Sequence, residues 1–260
     1  MKNSLNFLLL LVLFIGCKNA NELTLTTASY TNESCANCPN IKIKIPQVVN
    51  ESRLAENINS NISKEISSIL LFDESEDLEN FTIEESIKAF NESHAEITKL
   101  YPDEADIWEA EITGSVSYED KNTLTIVLNS YLFSGGAHGY TSIQYLNFNK
   151  KTGKELKTWQ IFKNKDAFKT YAESAFRKAE GIPLDAPINS TGFMFEQDSF
   201  NLPENIGFTN EGIRLQYNQY EVASYADGPI EITLPYNEAQ KYLKGRFKTD
   251  KRITTTSFED

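Results

Sequence analysis

The sequence predicts an α+β fold: an antiparallel β-sheet meander with helices packed on one side, in two contiguous halves that meet near Lys163. Three observations predict it. Two early segments carry apolar residues at three- and four-residue spacing, the mark of amphipathic helices. A run of alternating segments broken by Gly- and Asn-containing turns follows, as in a meander. One further helical segment then leads into a second set of short alternating runs.

Taken in order, residues 41–45 read I-K-I-K-I, the strict alternation of a half-buried strand, closed by Pro46. Residues 51–72 place Leu54, Ile58, Ile62, Ile66, Ile69 and Leu70 on one helical face. Residues 82–100 form a second helix with Ile83, Ile87, Phe90, His94 and Ile97 in one stripe. Thr82 caps it, and Glu85 three residues on completes a capping box. From Ile107 the pattern becomes β. Residues 107–118 alternate, 119–122 turn, 124–133 return and 140–148 add a strand. Gly153 suits a turn with positive φ. Residues 155–159 read as extended, with Trp159 and Phe162 packing on the sheet. Residues 166–180 read as a helix that begins at Asp166 and turns Phe168, Tyr171, Ala172, Ala175 and Phe176 to one side. Short strands are expected at 193–195, 199–202, 205–208, 213–217 and 230–234, and a closing helix at 237–247.

The first sixteen residues read as a lipoprotein signal peptide. Lys2 gives a positive start, residues 7–15 are unbroken apolar and too short to span a bilayer, and Gly16 precedes Cys17. Cys17 is therefore the expected lipidation site, fastening the chain to a membrane by acyl chains. Residues 17–40, rich in Asn, Thr, Ser and Glu without a sustained period, read as a lipid-anchored tether. Residues 249–260 read as a polar tail. Cys35 and Cys38 form a C-x-x-C, open to a redox dithiol, half a zinc site or a local disulfide. No second pair completes a tetrahedral zinc site, and outside the cytoplasm a disulfide is the favoured reading.

Net charge is −12 and the pI is near 4.8. That argues against nucleic acid, which needs a basic stripe, and favours cationic partners. The G-x-S-x-G, H-E-x-x-H, Walker A and G-x-G-x-x-G patterns are absent. No cofactor and no metal site is expected.

Two stretches carry the functional interest. Residues 134–140 read S-G-G-A-H-G-Y, joining two strands and presenting His138, one of two histidines in the chain. Residues 220–228 read Y-E-V-A-S-Y-A-D-G between two later strands. Both break strands with glycines, and they are expected side by side, with His138 in reach of Glu221 or a tyrosine hydroxyl. Candidate ligand-binding residues are Gly135, Gly136, His138, Tyr140, Tyr220, Glu221, Tyr225, Asp227 and Tyr236. Aromatic planes beside carboxylates suit sugar rings or a basic protein. Glu221 and Asp227 are also the nearest thing to a glycosidase carboxylate pair.

Together with N-K-K-T-G-K at 149–154, W-Q-I-F at 159–162, F-T-N-E-G at 208–212 and I-T-L-P-Y at 232–236, these stretches resemble the PdaC/RsiV-like extracellular domain family. The resemblance runs over about 41–242. It implies a PdaC-like half at 41–162 and an RsiV-like half at 163–248, outside the cytoplasm. It covers the accessory domain of the peptidoglycan deacetylase and omits the catalytic one. The expected function is a lipid-anchored cell-envelope binding protein, facing the periplasm or cell surface, that is not itself an enzyme. Its expected partner is peptidoglycan, another glycan, or a glycan-acting protein such as lysozyme. The alternatives are an envelope enzyme acting on glycan and a structural lipoprotein without a small ligand.

Overall fold

The computed structural model describes residues 23–32, 37–71, 81–102 and 106–248, except the side chain of Trp159. The leader, Cys17, Cys35 and the polar tail lie outside them. Cys38 is disulfide-bonded.

A five-stranded sheet has the order β1 (Leu25–Thr31), β2 (Asn40–Val48), β3 (Glu109–Glu119), β4 (Thr123–Phe133) and β5 (Tyr140–Asn149). Helices α1 (Arg53–Leu71) and α2 (Ile83–Leu100) connect β2 to β3. The α+β class and the β3–β4–β5 meander stand. Within the sheet, however, β2 and β3 pair parallel. Two helices in one connection bring the chain back to the end where β2 began, so the next strand runs the same way. The expected tether also needs correcting, because Leu25–Thr31 pairs antiparallel with β2. An edge strand needs little burial, and only Leu25, Ala28 and Tyr30 are half-buried here, too weak a pattern to stand out.

The periodic apolar faces meet. Ile58, Ile62 and Ile66 of α1 and Phe90 of α2 pack on Ile43, Ile112, Leu124 and Ile126 of the sheet. Thr82 and Glu85 form the reciprocal capping box of α2. His94 is buried on the helix stripe, its Nε2 3.1 Å from the Asp106 carbonyl, which ties α2 to the entry of β3. Ile97, expected on the same stripe, is exposed.

The later part folds on a second core. A three-stranded sheet of β6 (Ile206–Phe208), β7 (Gly212–Tyr217) and β8 (Ile230–Pro235) follows α3 (Thr158–Ile161) and α4 (Lys165–Ala179). Phe168 and Phe176 of α4 join Phe195, Phe200, Phe208, Leu215 and Leu234 in this core. The α4 cap is Asn164, whose Oδ1 accepts from the Ala167 N–H, and Asp166 lies in the first turn. Residues 193–195 and 199–202 are not strands: Phe195 and Phe200 are core plugs around a 3₁₀ turn at Glu196–Asp198. The segment 155–159 makes one bridge, Phe148 to Glu155, before α3 begins. The closing helix shrinks to α5 (Tyr236–Ala239) and two 3₁₀ turns, because Leu243 turns back to bridge with Phe162.

Candidate functional site

The site is built from the edge of the large sheet. β5 is an edge strand, and side-chain amides of the second core cap its outward backbone groups. The Thr141 N–H and Oγ1 donate to Gln219 Oε1 at 3.1 and 2.9 Å. The Ile143 N–H donates to Asn218 Oδ1, and the Tyr145 N–H to Asn205 Oδ1, each at 2.9 Å. Asn and Gln amides carry a donor and an acceptor, so they imitate a neighbouring strand where none exists. The loop after β7 is thereby bolted to the strand that the Gly-rich loop opens.

The two expected stretches do lie together. The rings of His138 and Tyr225 stack with centroids 3.8 Å apart. The Gly139 carbonyl accepts from the Tyr225 hydroxyl at 3.0 Å and from His138 Nδ1 at 3.1 Å. A carbonyl can only accept, so Nδ1 carries the proton, and in that tautomer the neutral ring has its lone pair at Nε2. The Tyr220 hydroxyl faces that atom at 3.5 Å. Tyr220 and Tyr225 rings are tilted at 5.7 Å.

Tyr220 is the unusual member. Its φ is +69°, in the left-handed region, and it is 57% exposed. A bulky residue there is strained, and such strain concentrates at functional positions. Gly135 and Gly136 also have positive φ, and a Cβ at either would meet open space. They therefore shape the turn, and no neighbouring group occupies the space of their missing Cβ atoms. Gly139 clears room for β4: its missing Cβ is where the Tyr131 ring packs.

Glu221 sits beside this group, and partial desolvation raises its carboxyl above the ordinary range, with the charge of Glu204 adding and the Asn218 backbone opposing. Its own charge helps hold the Tyr140 phenol up, behind burial. Asp227 is committed inside its loop, accepting from Ser224 Oγ at 2.6 Å and the Ser224 N–H at 3.1 Å. It thereby closes the 3₁₀ turn that holds Tyr225. Tyr236 is not part of the group. It lies at the opposite end of β8, near Tyr118, with its hydroxyl on the Thr209 carbonyl. Burial lifts its phenol well above the usual range. Tyr131, Asn218 and Gln219 belong to the site and were missed. Their only sequence signal was adjacency to the two loops.

Two grooves lie elsewhere, one of about 390 Å³ beside Cys38 and His94 and one of about 550 Å³ beside Tyr30 and Phe81. Among the described residues no cluster of three His, Cys, Asp or Glu side chains could hold a metal. No helix among them is long and apolar enough to cross a membrane.

Two families match in succession. The one described as Deacetylase PdaC covers residues 32–141, and Protein of unknown function (DUF3298) covers 160–237. The chain thus carries a segment similar to PdaC followed by a segment similar to DUF3298. The Gly-rich loop closes the PdaC segment and the Tyr220 loop lies within the DUF3298 segment, so the site forms where the two meet. A DUF3298 family member from Bacteroides fragilis shares the fold at TM-score 0.67 and 20% identity, covering 86% of this chain and 94% of that one. Another, from Pseudomonas aeruginosa PAO1, does so at 0.60 and 18%, covering 86% and 96%. No curated protein matches the chain. Both matched domains are of a cell-envelope-associated type, and the PdaC match is to an accessory domain.

Chemically, the PdaC–DUF3298 junction offers an exposed aromatic face on Tyr220, a lone pair on His138 and a carboxylate on Glu221. Asp227, the expected second member of a carboxylate pair with Glu221, is engaged in its own turn.

Proposed function

We propose that this is a lipid-anchored cell-envelope protein that binds a glycan, of the peptidoglycan kind, through the junction of the His138 and Tyr220 loops. The observation that carries this reading is Tyr220, held exposed at a strained φ beside the His138–Tyr225 stack. An exposed tyrosine plane suits the apolar face of a sugar ring. The Nε2 lone pair of His138 and the Glu221 carboxyl suit its hydroxyls. A second reading rests on charge. A chain at −12 attracts basic proteins, so a lysozyme-like protein could dock on the same tyrosines.

Calorimetry with residues 21–260, which contain every described residue, tests both. Peptidoglycan fragments should give saturable heat that Tyr220→Ala removes. Saturation with lysozyme and none with glycan would replace the first reading by the second. Silence with both would overturn the site.

A further inference from the structure

Behind the site lies an open half-face of the large sheet. Among the described residues, the helices cover one face, and the second core covers the other over the later part of β5 and the facing ends of β3 and β4, where Ser117 Oγ reaches the Phe208 carbonyl and Asn147 Nδ2 the Ile206 carbonyl. Beyond that, cross-strand registers align two rows of side chains on the uncovered face. One row runs Thr31, Lys42, Glu111, Tyr131, Thr141. The next runs Ser29, Lys44, Thr113, Asn129. All of these are exposed. The first row ends at Thr141, bonded to Gln219, one residue before Tyr220. Its Tyr131, 37% exposed, packs against Gly139 of the His138 loop.

We infer that this face is the continuation of the binding site, holding the rest of an uncharged glycan chain whose end sits on Tyr220. The inference rests on the glycan reading above. Three features point to that occupant. The face is continuous with the loops through Tyr131 and Thr141. Its charges balance, Lys42 and Lys44 against Glu109 and Glu111, in a chain whose net charge is −12. It therefore fits an uncharged polymer better than the basic protein that the whole molecule attracts. It offers donors and acceptors from neighbouring strands side by side, which suits hydroxyl and amide groups repeated along a chain. Four strand spacings make the floor about 19 Å wide, room for several sugar units.

The test is affinity against chain length, with oligomers of N-acetylglucosamine as the probe. Wild-type protein should bind longer oligomers more tightly than the disaccharide. The pair Lys42→Ala and Asn129→Ala, both exposed and outside the two loops, should leave disaccharide affinity unchanged. It should weaken the long oligomer about tenfold, the scale of a few lost polar contacts. Tyr220→Ala should weaken both lengths. If the double variant binds long oligomers as wild type does, or if wild-type affinity does not grow with length, the face is not part of the site while the loop reading stands. If wild-type protein binds neither length, the glycan reading fails with it.

Discussion

At the scale of single residues, the site depends on a few backbone and protonation details. Tyr220 at φ +69° occupies a conformation that glycine adopts without cost. Tyr220→Gly is expected to leave stability between unchanged and about 1 kcal/mol higher, while abolishing ligand binding. Urea denaturation and calorimetry on the same sample read both. Glu221 gives a second prediction, with its sign set by the raised carboxyl. The folded chain holds that proton more tightly than the unfolded chain. The group's contribution is thus full at low pH and is lost as pH rises past the ordinary glutamate value of 4.5. At neutral pH the charge costs stability, so Glu221→Gln should melt no lower than wild type at pH 7 and lose any advantage near pH 4. A lower melting temperature at pH 7 would show that the carboxylate is stabilised instead. Residue identity announced His138, Tyr220 and Tyr225, because glycines and aromatics clustered around them. It could not announce Tyr131, whose role depends on the ring filling the space of a missing Cβ across a hairpin.

At the scale of elements, the sequence showed most of what periodicity can show. α1, α2, the capping box, and the β3–β4–β5 meander were legible because burial on one face imposes a period. What escaped was set by tertiary contact. β1 carries little periodic burial, and its strand character comes from pairing with β2. Phe195 and Phe200 read as strand residues but serve as plugs, and single buried aromatics have no period. The amide cap on β5 was invisible for the same reason, since Asn205 and Asn218 are ordinary turn residues until the edge is placed. Asn218→Ala should therefore destabilise the protein by about 1–3 kcal/mol, because the Ile143 N–H loses its partner while its carbonyl keeps only Asn205 Nδ2. Gly207→Ala should cost a similar amount, about 1–3 kcal/mol, since its Cβ would overlap the Tyr145 ring. Equal denaturation midpoints for both variants and wild type would mean that the two cores are not locked at this edge.

At the scale of the whole molecule, the strand registers set an orientation. Leu25 begins β1 opposite Val48, at the same end as the β3–β4 turn, whereas the His138 loop follows Phe133 at the other end, level with Glu109. The start of β1 is therefore at the sheet end opposite the site. Cys17→Ser should release the protein from the membrane fraction and abolish fatty-acid labelling, and unchanged fractionation would refute the anchor. The central claim is that the two loops meet to bind and not merely to hold the fold. His138 decides it most directly. It is exposed, and its Nδ1 bonds only the carbonyl of the next residue, so folding asks little of it. The measurement is one variant, His138→Ala, taken through a thermal melt and a peptidoglycan-fragment titration. The expected result is an unchanged melting temperature with affinity reduced about tenfold, a loss of about 1.4 kcal/mol. A lowered melting temperature with undiminished binding would contradict the claim and make the stack a structural clasp.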